Sequence, residues 1–298
     1  MKVRARLFAI IFSLVLASLV SASLASLNAF STGLILEVSR HLEHDSVNWM
    51  DEISRAQHDK IRDLRFLSTQ ISNILRSNLT DEQKDAFLID FQMSLNSNTS
   101  LFVYDSNGNE IIGSSKLPVG GDEYAYTHLK DSKIGKINEE ILPAVYQNGS
   151  DWFKISTPIR GNGDIIGGYV ALYYPLVTLI GNNVSSLEPS LRFDLISKNG
   201  TILYSNSGVN TSNSTNFYHD QPIFMKITNS TKSVEKGIFP TVDNSGGDSI
   251  FIAVKQKSFP DYPGNGILLI TSVITDKAFG GVLDLSLIHI SEPTRHLR

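Results

Sequence analysis

The run from Leu7 to Leu27, LFAIIFSLVLASLVSASLASL, limits what the rest of the chain can be, because 21 successive residues carry no charge. The uncharged stretch continues through Asn28 to Leu36. A helix rises about 1.5 Å per residue, so roughly 20 residues cross a hydrocarbon core of about 30 Å. Lys2, Arg4 and Arg6 precede the run, while Glu37, Arg40, Glu43 and Asp45 follow it with mixed sign. The positive-inside rule makes residues 1–6 a cytoplasmic tail, residues 7–29 an anchor in the plasma membrane, and the body of the chain extracellular. A cleaved signal peptide is the rival reading, since Ala22, Ser23 and Ala25 offer small-residue cleavage sites. A signal h-region is usually about 7–15 residues, and this run is longer. Either way the body is exported.

Composition narrows the chemistry of that body. There is no cysteine in the 298 residues, so disulfides, thiolate nucleophiles and Cys-ligated metals are excluded. A net charge of −4 with 19% charged residues gives no basic footprint for nucleic acid. Eight N-x-[ST] sequons, at Asn78, Asn98, Asn148, Asn183, Asn199, Asn210, Asn213 and Asn229, are about twice the chance expectation. They suggest a glycoprotein made on a eukaryotic secretory route, although Asn and Ser/Thr also share turns for their own reasons. None precedes Asn78, which sets the first eighty residues apart as membrane and stalk.

Between Glu37 and Leu75 there is neither Pro nor Gly, and apolar residues recur at helical spacing. Met50, Ile53, Ile61, Leu64, Leu67, Ile71, Ile74 and Leu75 form one stripe, with Asp51, Glu52, Arg55, Asp59, Lys60, Arg62 and Asp63 opposite. The pattern predicts a stalk helix over residues 30–77 that continues out of the membrane. Its stripe can lie against a sheet or against a second copy in a homodimer, and the spacing serves both. His41 and His44 share a helix face beside Glu43 and Asp45, but a zinc site needs further ligands and none is evident; no metal and no cofactor is expected.

After Asn78-Leu-Thr-Asp81 the pattern changes to short strands and turns. Leu101–Asp105, the turn Ser106–Asn109 and Glu110–Gly113 form a hairpin. Asp105, Asn107 and Asn109 alternate like calcium-loop ligands, but Glu110 and Lys116 occupy the places where such a loop needs Gly and Glu. A second hairpin pairs Asp151–Ile159 with Ile165–Tyr174; Gly161, Gly163 and Gly167 belong to its turn, because no Lys-Ser/Thr helix follows as in a phosphate loop. Leu191–Ile196, Ser197-Lys-Asn-Gly200 and Thr201–Tyr204 then repeat the strand, NG turn, strand unit. Strands over 249–254 and 267–273 and a helix N-terminus at Thr275-Asp276 close the series. The expected organisation is a duplication: an α+β chain with a transmembrane helix, a stalk helix and two antiparallel-sheet modules, residues 78–178 and 179–284.

The exported helix, the paired strand–NG–strand units, Ser156-Thr-Pro-Ile159 with Gly167-Gly168, and the closing Gly266–Phe279 segment together resemble a double Cache domain. That family is a tandem of PAS-like modules, the first of them membrane-distal, serving as the sensor of membrane receptors. The resemblance covers about residues 36–283, and the Asn-rich, sequon-rich character is most similar to fungal osmosensing hybrid histidine kinases. The family often binds carboxylates or amino acids in its membrane-distal module, an Arg two places before a Trp holding the carboxylate and a late Asp the amine. Here Trp152 and Phe153 match the aromatic part, Ser150 stands where Arg would be, and Tyr173 about where Asp would be. A buried charge without a partner is costly, so a neutral ligand such as a polyol is expected instead. Tyr124, Tyr126, Tyr146, Trp152 and Tyr173 would line its pocket, or else serve as core.

Leu285–Arg295 resembles the translation of a transposase sequencing adapter letter for letter, so residues 285–298 are expected to be foreign and the natural chain to continue past Asp284. The reading is a sensor domain without enzymatic activity, joined in its parent to a histidine kinase. The alternative is a secreted or anchored binding protein with no kinase. No G-x-S-x-G or H-E-x-x-H motif supports a hydrolase.

Overall fold

The computed structural model describes residues 2–94, 99–105, 109–113, 138–142, 152–160, 166–180, 191–207, 218–240, 247–260, 262, 264 and 266–275. Its spine is α1, Lys2–Arg76, a single helix of 75 residues. No proline interrupts it and Gly33 is its one glycine. From Ile11 to Phe30 its surface is exposed and apolar, long and apolar enough to cross a membrane. The hydroxyls in this stretch turn back onto the helix: Ser18 donates to the Val15 carbonyl, and Ser21 to that of Ala17, each at 2.8 Å. Where water is absent a hydroxyl has no other acceptor, so such bonds let Ser sit in an apolar span.

Beyond Ile35 the helix is packed. Leu42, Met50, Ile53, Ile61, Leu64, Leu67, Ile71 and Ile74 are all buried, and with Ser46, Ser54 and Gln57 they trace one face. That face lies across two five-stranded antiparallel sheets. The first contains β1 Ser100–Asp105, β2 Glu110–Gly113, β3 Asn138–Leu142, β4 Trp152–Arg160 and β5 Ile166–Pro175, in the order β2-β1-β5-β4-β3. The second contains β6 Leu191–Ile196, β7 Ile202–Ser205, β8 Val234–Pro240, β9 Asp248–Lys255 and β10 Leu268–Ile274, in the order β7-β6-β10-β9-β8. The two orders are the same topology five strands apart, so the duplication seen in the sequence is a duplication of sheets.

The stripe is therefore used by the sheets. Its lower half meets the second sheet: Ser46 Oγ lies 2.6 Å from Thr271 Oγ1, and Trp49 stands edge-on to Phe193 at 5.8 Å. Further along, Ser54 Oγ accepts the Lys257 N–H at 3.2 Å and the Gln57 amide donates to the Tyr262 hydroxyl at 3.1 Å. Its upper half meets the first sheet, where Ser68 donates to the Pro158 carbonyl at 2.9 Å. Fully burying each of Ile61, Leu64, Leu67 and Ile71 contributes about 1.5–3 kcal/mol, which is what holds so long a helix to the sheets.

The two hairpin turns are built alike. The Asp105 carboxylate accepts the Asn109 backbone N–H at 2.8 Å and its side-chain amide at 2.9 Å. Ser197 Oγ accepts the N–H groups of Asn199 and Thr201, each at 3.2 Å. In both, the pairing slips one residue into the turn, at Val103/Tyr104 and at Leu195/Ile196. Asp105 and Asn109 thus bond each other as a turn requires. On α1, His41 contacts Glu37 at 3.0 Å and His44 contacts Asn48 at 3.1 Å.

One expectation is corrected. Residues after Asp81 do not turn at once to strands: Asp81–Ser94 is a helix, α2. The signal was Thr80-Asp-Glu-Gln83, a reciprocal cap in which the Thr80 N–H donates to Gln83 Oε1 at 3.1 Å and the Gln83 N–H to Thr80 Oγ1 at 3.4 Å. A second helix, α3 Pro222–Asn229, was also not foreseen; Pro222 opens it and Ile223, Phe224 and Ile227 are its buried face.

Candidate functional site

Strand alternation splits each sheet into an inner face toward α1 and an outer face away from it. In the first sheet Leu101, Val103, Phe153, Ile155, Val170, Leu172 and Tyr174 join the core shared with α1. Phe102, Tyr104, Lys154, Ser156, Ala171 and Tyr173 alternate with them and face outward, yet all six are buried. That burial is supplied by the chain itself.

That outer face is a polar-centred aromatic surface. The pairing sets Ser100, Tyr173 and Lys154 in one row across β1, β5 and β4, and Phe102, Ala171 and Ser156 in the next. Phe102 stands edge-on to Tyr173, centroids 5.4 Å apart at 84°, and stacks against Tyr104 at 6.3 Å. The Lys154 ammonium lies 5.8 Å from the Tyr173 ring centroid, within cation–π range. Only 3% of Lys154 is exposed, so its contacts are made in a low-dielectric setting. Burial also lifts the Tyr169 phenol, on the adjoining row, above its ordinary pKa.

Of the residues the sequence pointed to, Tyr173 lies at the centre of this face, fully buried. Trp152 opens β4, opposite Leu142 and Pro175 in register. Tyr124, Tyr126 and Tyr146 lie outside the described residues, as do Asn98, Asn148, Asn183, Asn210 and Asn213. Asn78, Asn199 and Asn229 are exposed. Sequence reasoning missed Phe102, Tyr104, Lys154 and Ser156. It sought a cation at Ser150, upstream of Trp152, whereas Lys154 lies two places downstream on the strand itself. The available signal was a lone Lys inside the apolar run Trp-Phe-Lys-Ile, where period two puts it on the face opposite Phe153 and Ile155.

The outer face of the second sheet is filled differently. Ile223, Phe224 and Ile227 of α3 pack there with Tyr218, Phe251, Ala253 and Ile270. Beneath them lies a buried charge pair. Arg192 Nε donates to Asp194 Oδ2 at 2.5 Å, and the Tyr218 hydroxyl donates to the same oxygen. Asp194 is fully buried, and burial first, then the Asp194 charge, pushes the Tyr218 phenol well above its ordinary pKa. The chain fills this face with the apolar side of a helix, whereas the outer face of the first sheet sets Lys154 over the Tyr173 ring and is the better candidate for a ligand.

No family model and no curated protein matches the chain. Solved structures do. The periplasmic sensory domain of the Campylobacter jejuni chemoreceptor Tlp1 matches with a TM-score of 0.60 at 12% identity, over 83% of this chain and 98% of that one. The extracellular domain of vpHK1S-Z8, named as a histidine kinase, matches at 0.60 and 14%, over 84% and 96%. The ligand-binding domain of the Pseudomonas aeruginosa PAO1 amino-acid chemoreceptor PctC, in complex with GABA, matches at 0.56 and 14%, over 79% and 100%. At such identities the likeness establishes the fold: a long N-terminal apolar helix followed by antiparallel-sheet modules, as in Cache-type sensor domains.

Proposed function

We propose that this chain is the extracellular sensory part of a membrane receptor, binding a small molecule on the outer face of its first sheet. The observation that carries it is mechanical: both sheets are fastened to one helix whose apolar end emerges from them uncovered. A change of contacts on a sheet face therefore bears on the same helix that would cross the membrane. The proposed order is residues 78–178 distal and 179–284 proximal, with two copies side by side. A histidine kinase of the osmosensing type would follow a second span beyond Asp284, and residues 285–298 would be adapter-derived. Structures of similar fold are sensor domains of chemoreceptors and kinases, one holding GABA, which supports the receptor reading.

The Lys154–Tyr173 geometry supports a small ligand whose carbon frame lies on the aromatic rings and whose oxygen, from a carboxylate or a hydroxyl, adds to the contacts that Lys154 makes within the chain. Hydrogen bonds to charged groups contribute about 1.5–3 kcal/mol, so Lys154→Met should weaken binding roughly tenfold or more. Calorimetric titration of the full chain with polyols, short carboxylates and neutral amino acids, against Lys154→Met and Tyr173→Leu, checks this. A ligand that binds both variants as it binds the parent shows that the face is packing alone.

The exposed sequons Asn78, Asn199 and Asn229 are proposed glycan carriers. Expression in a glycosylating eukaryotic host should yield a band that endoglycosidase treatment sharpens and lowers, and Asn199→Gln should lower the untreated band by one glycan. An unshifted band counts against the secretory-route reading.

A further inference from the structure

We infer that the lower rim of the second sheet, the end of edge strand β8 at Ile238–Pro240, rests on the lipid surface beside the α1 span. The inference rests on the membrane reading of α1 given above. It follows from the helix being unbroken: from Lys2 to Arg76 distances along it are fixed by its rise. If the span starts at Leu7, just after Arg6, about 20 residues fill the hydrocarbon core. The uncharged residues Leu27–Leu36 then run a further 15 Å or so, past an outer headgroup zone of roughly 5–8 Å. Packing against the body has already begun at Ile35 and Val38. Little more than one helical turn is left between lipid headgroups and protein.

The register shows what stands at that level. Thr271, which contacts Ser46, is opposite Ile252, and Ile252 is opposite Lys236. Lys236 in turn reaches Glu43 at 2.7 Å. This row therefore lies beside residues 43–46 of α1. Lys257, just past the far end of β9, meets Ser54, so β9 runs away from the span and its antiparallel neighbour β8 runs toward it. Pro240 is four residues further on, a drop of about 13 Å, which along the helix is about nine residues and ends level with Leu34–Glu37. The usual helix tilt of about 20° brings one side of such a rim lower still.

The chemistry of the rim suits the place. Ile238 is 46% exposed, Pro240 is exposed, and Leu36 at the same level of α1 is 62% exposed. Apolar side chains on an exposed strand edge invite pairing with another chain unless something covers them. Among the described residues, the exposed charges at this level are Asp248, opposite Pro240, and Glu37 on α1, which pairs with Arg40 at 3.3 Å. Two acids against one base leave no basic excess to draw an anionic surface, so the partner is zwitterionic lipid of the phosphatidylcholine type.

The absence of cysteine makes the test direct. Single-cysteine variants Leu19→Cys, Ile238→Cys and Phe66→Cys of the full chain are labelled with an environment-sensitive fluorophore. They are then placed in phosphatidylcholine nanodiscs carrying spin-labelled lipid, in the headgroup or deep in the acyl chain. Phe66 is an exposed control on the upper half of α1. Expected is strong quenching at 19 by the deep label and, at 238, quenching by the headgroup label several-fold above that at 66. Quenching at 238 no greater than at 66, with 19 still quenched, overturns the rim contact and leaves the anchor standing. Loss of quenching at 19 as well means that α1 does not cross the bilayer, and the rim contact falls with it.

Discussion

Asp194→Ala should lower the stability of the folded body by about 3 kcal/mol, a fall in melting temperature of roughly 6–12 °C for a domain of this size. Asp194 is fully buried and one of its oxygens takes both the Arg192 Nε–H and the Tyr218 hydroxyl. Truncation leaves a guanidinium and a phenol facing a hole. Breaking a buried pair from one side usually costs about 3–5 kcal/mol, and the Arg192 side chain, 12% exposed, retains some access to water, which places the value at the low end. Asp194→Asn keeps an acceptor for Tyr218 and should fall between. The same cluster sets an alkaline limit. The folded pKa of Tyr218 lies above its unfolded value, so from about pH 10 upward the unfolded chain releases a proton that the folded chain keeps, and stability declines. Tyr218→Phe should show a shallower decline. Thermal melts of parent and variants followed by circular dichroism between neutral and alkaline pH measure both effects. An Asp194→Ala protein melting with the parent would mean that the pair carries no net stability.

Gly168→Ala should cost about 2–3 kcal/mol, from a single added methyl group. Gly168 on β5 is opposite Asp105 on one side and Ile159 on the other. A Cβ there would overlap the Tyr104 carbonyl oxygen and lie 3.3 Å from the carbonyl carbon. Backbone cannot swing aside as a flexible side chain can, so β1 would have to move off β5. The displacement would also spread the Phe102, Tyr104 and Tyr173 rings, and ligand affinity should fall with stability. Gly33→Ala is the control: it has nothing within 4 Å and sits on a helix, where Ala is favoured. Equal melting temperatures for Gly168→Ala and the parent, by the same measurement, would refute the close-approach argument.

The Gly167-Gly168 pair illustrates how far the primary structure could be read. As letters it contributed to a family resemblance; the reason one of the two must lack a side chain is visible only once β1 lies beside β5. The apolar part of the stalk stripe from Met50 through Ile74 was legible, because helical period alone assigns it to one face, whereas Leu42 and the buried Ser46, Ser54 and Gln57 of the same face were not picked out. Whether that face met sheets or a second helix was not legible, since both need the same apolar spacing. The duplication could be read from the two NG turns. The strands β3 and β8 could not: Asn138–Leu142 is too short and polar to stand out, and Val234–Pro240 is broken by Gly237 and Pro240.

The candidate site shows the same division at the level of single residues. Tyr173 was reachable by its place in a motif, and it sits at the centre of the face. Lys154 was passed over because the cation was sought by spacing from Trp152, and spacing along a chain does not say which strands will be neighbours. Arg192 and Asp194, two apart on one strand, could be seen to share a face, but not that Tyr218, 24 residues later, would close over them. What the sequence determined by itself is whatever depends on period and charge: the span, the helix and its buried stripe, the strand and turn grammar, and the exclusion of cysteine chemistry. Tertiary structure alone decided which strands pair, that one helix serves the inner faces of both sheets, and that α3 covers the outer face of the second. It alone placed the one buried ammonium of the described first-sheet strands against Tyr173, because those outcomes depend on contacts between residues whose separation in sequence carries no periodic signal.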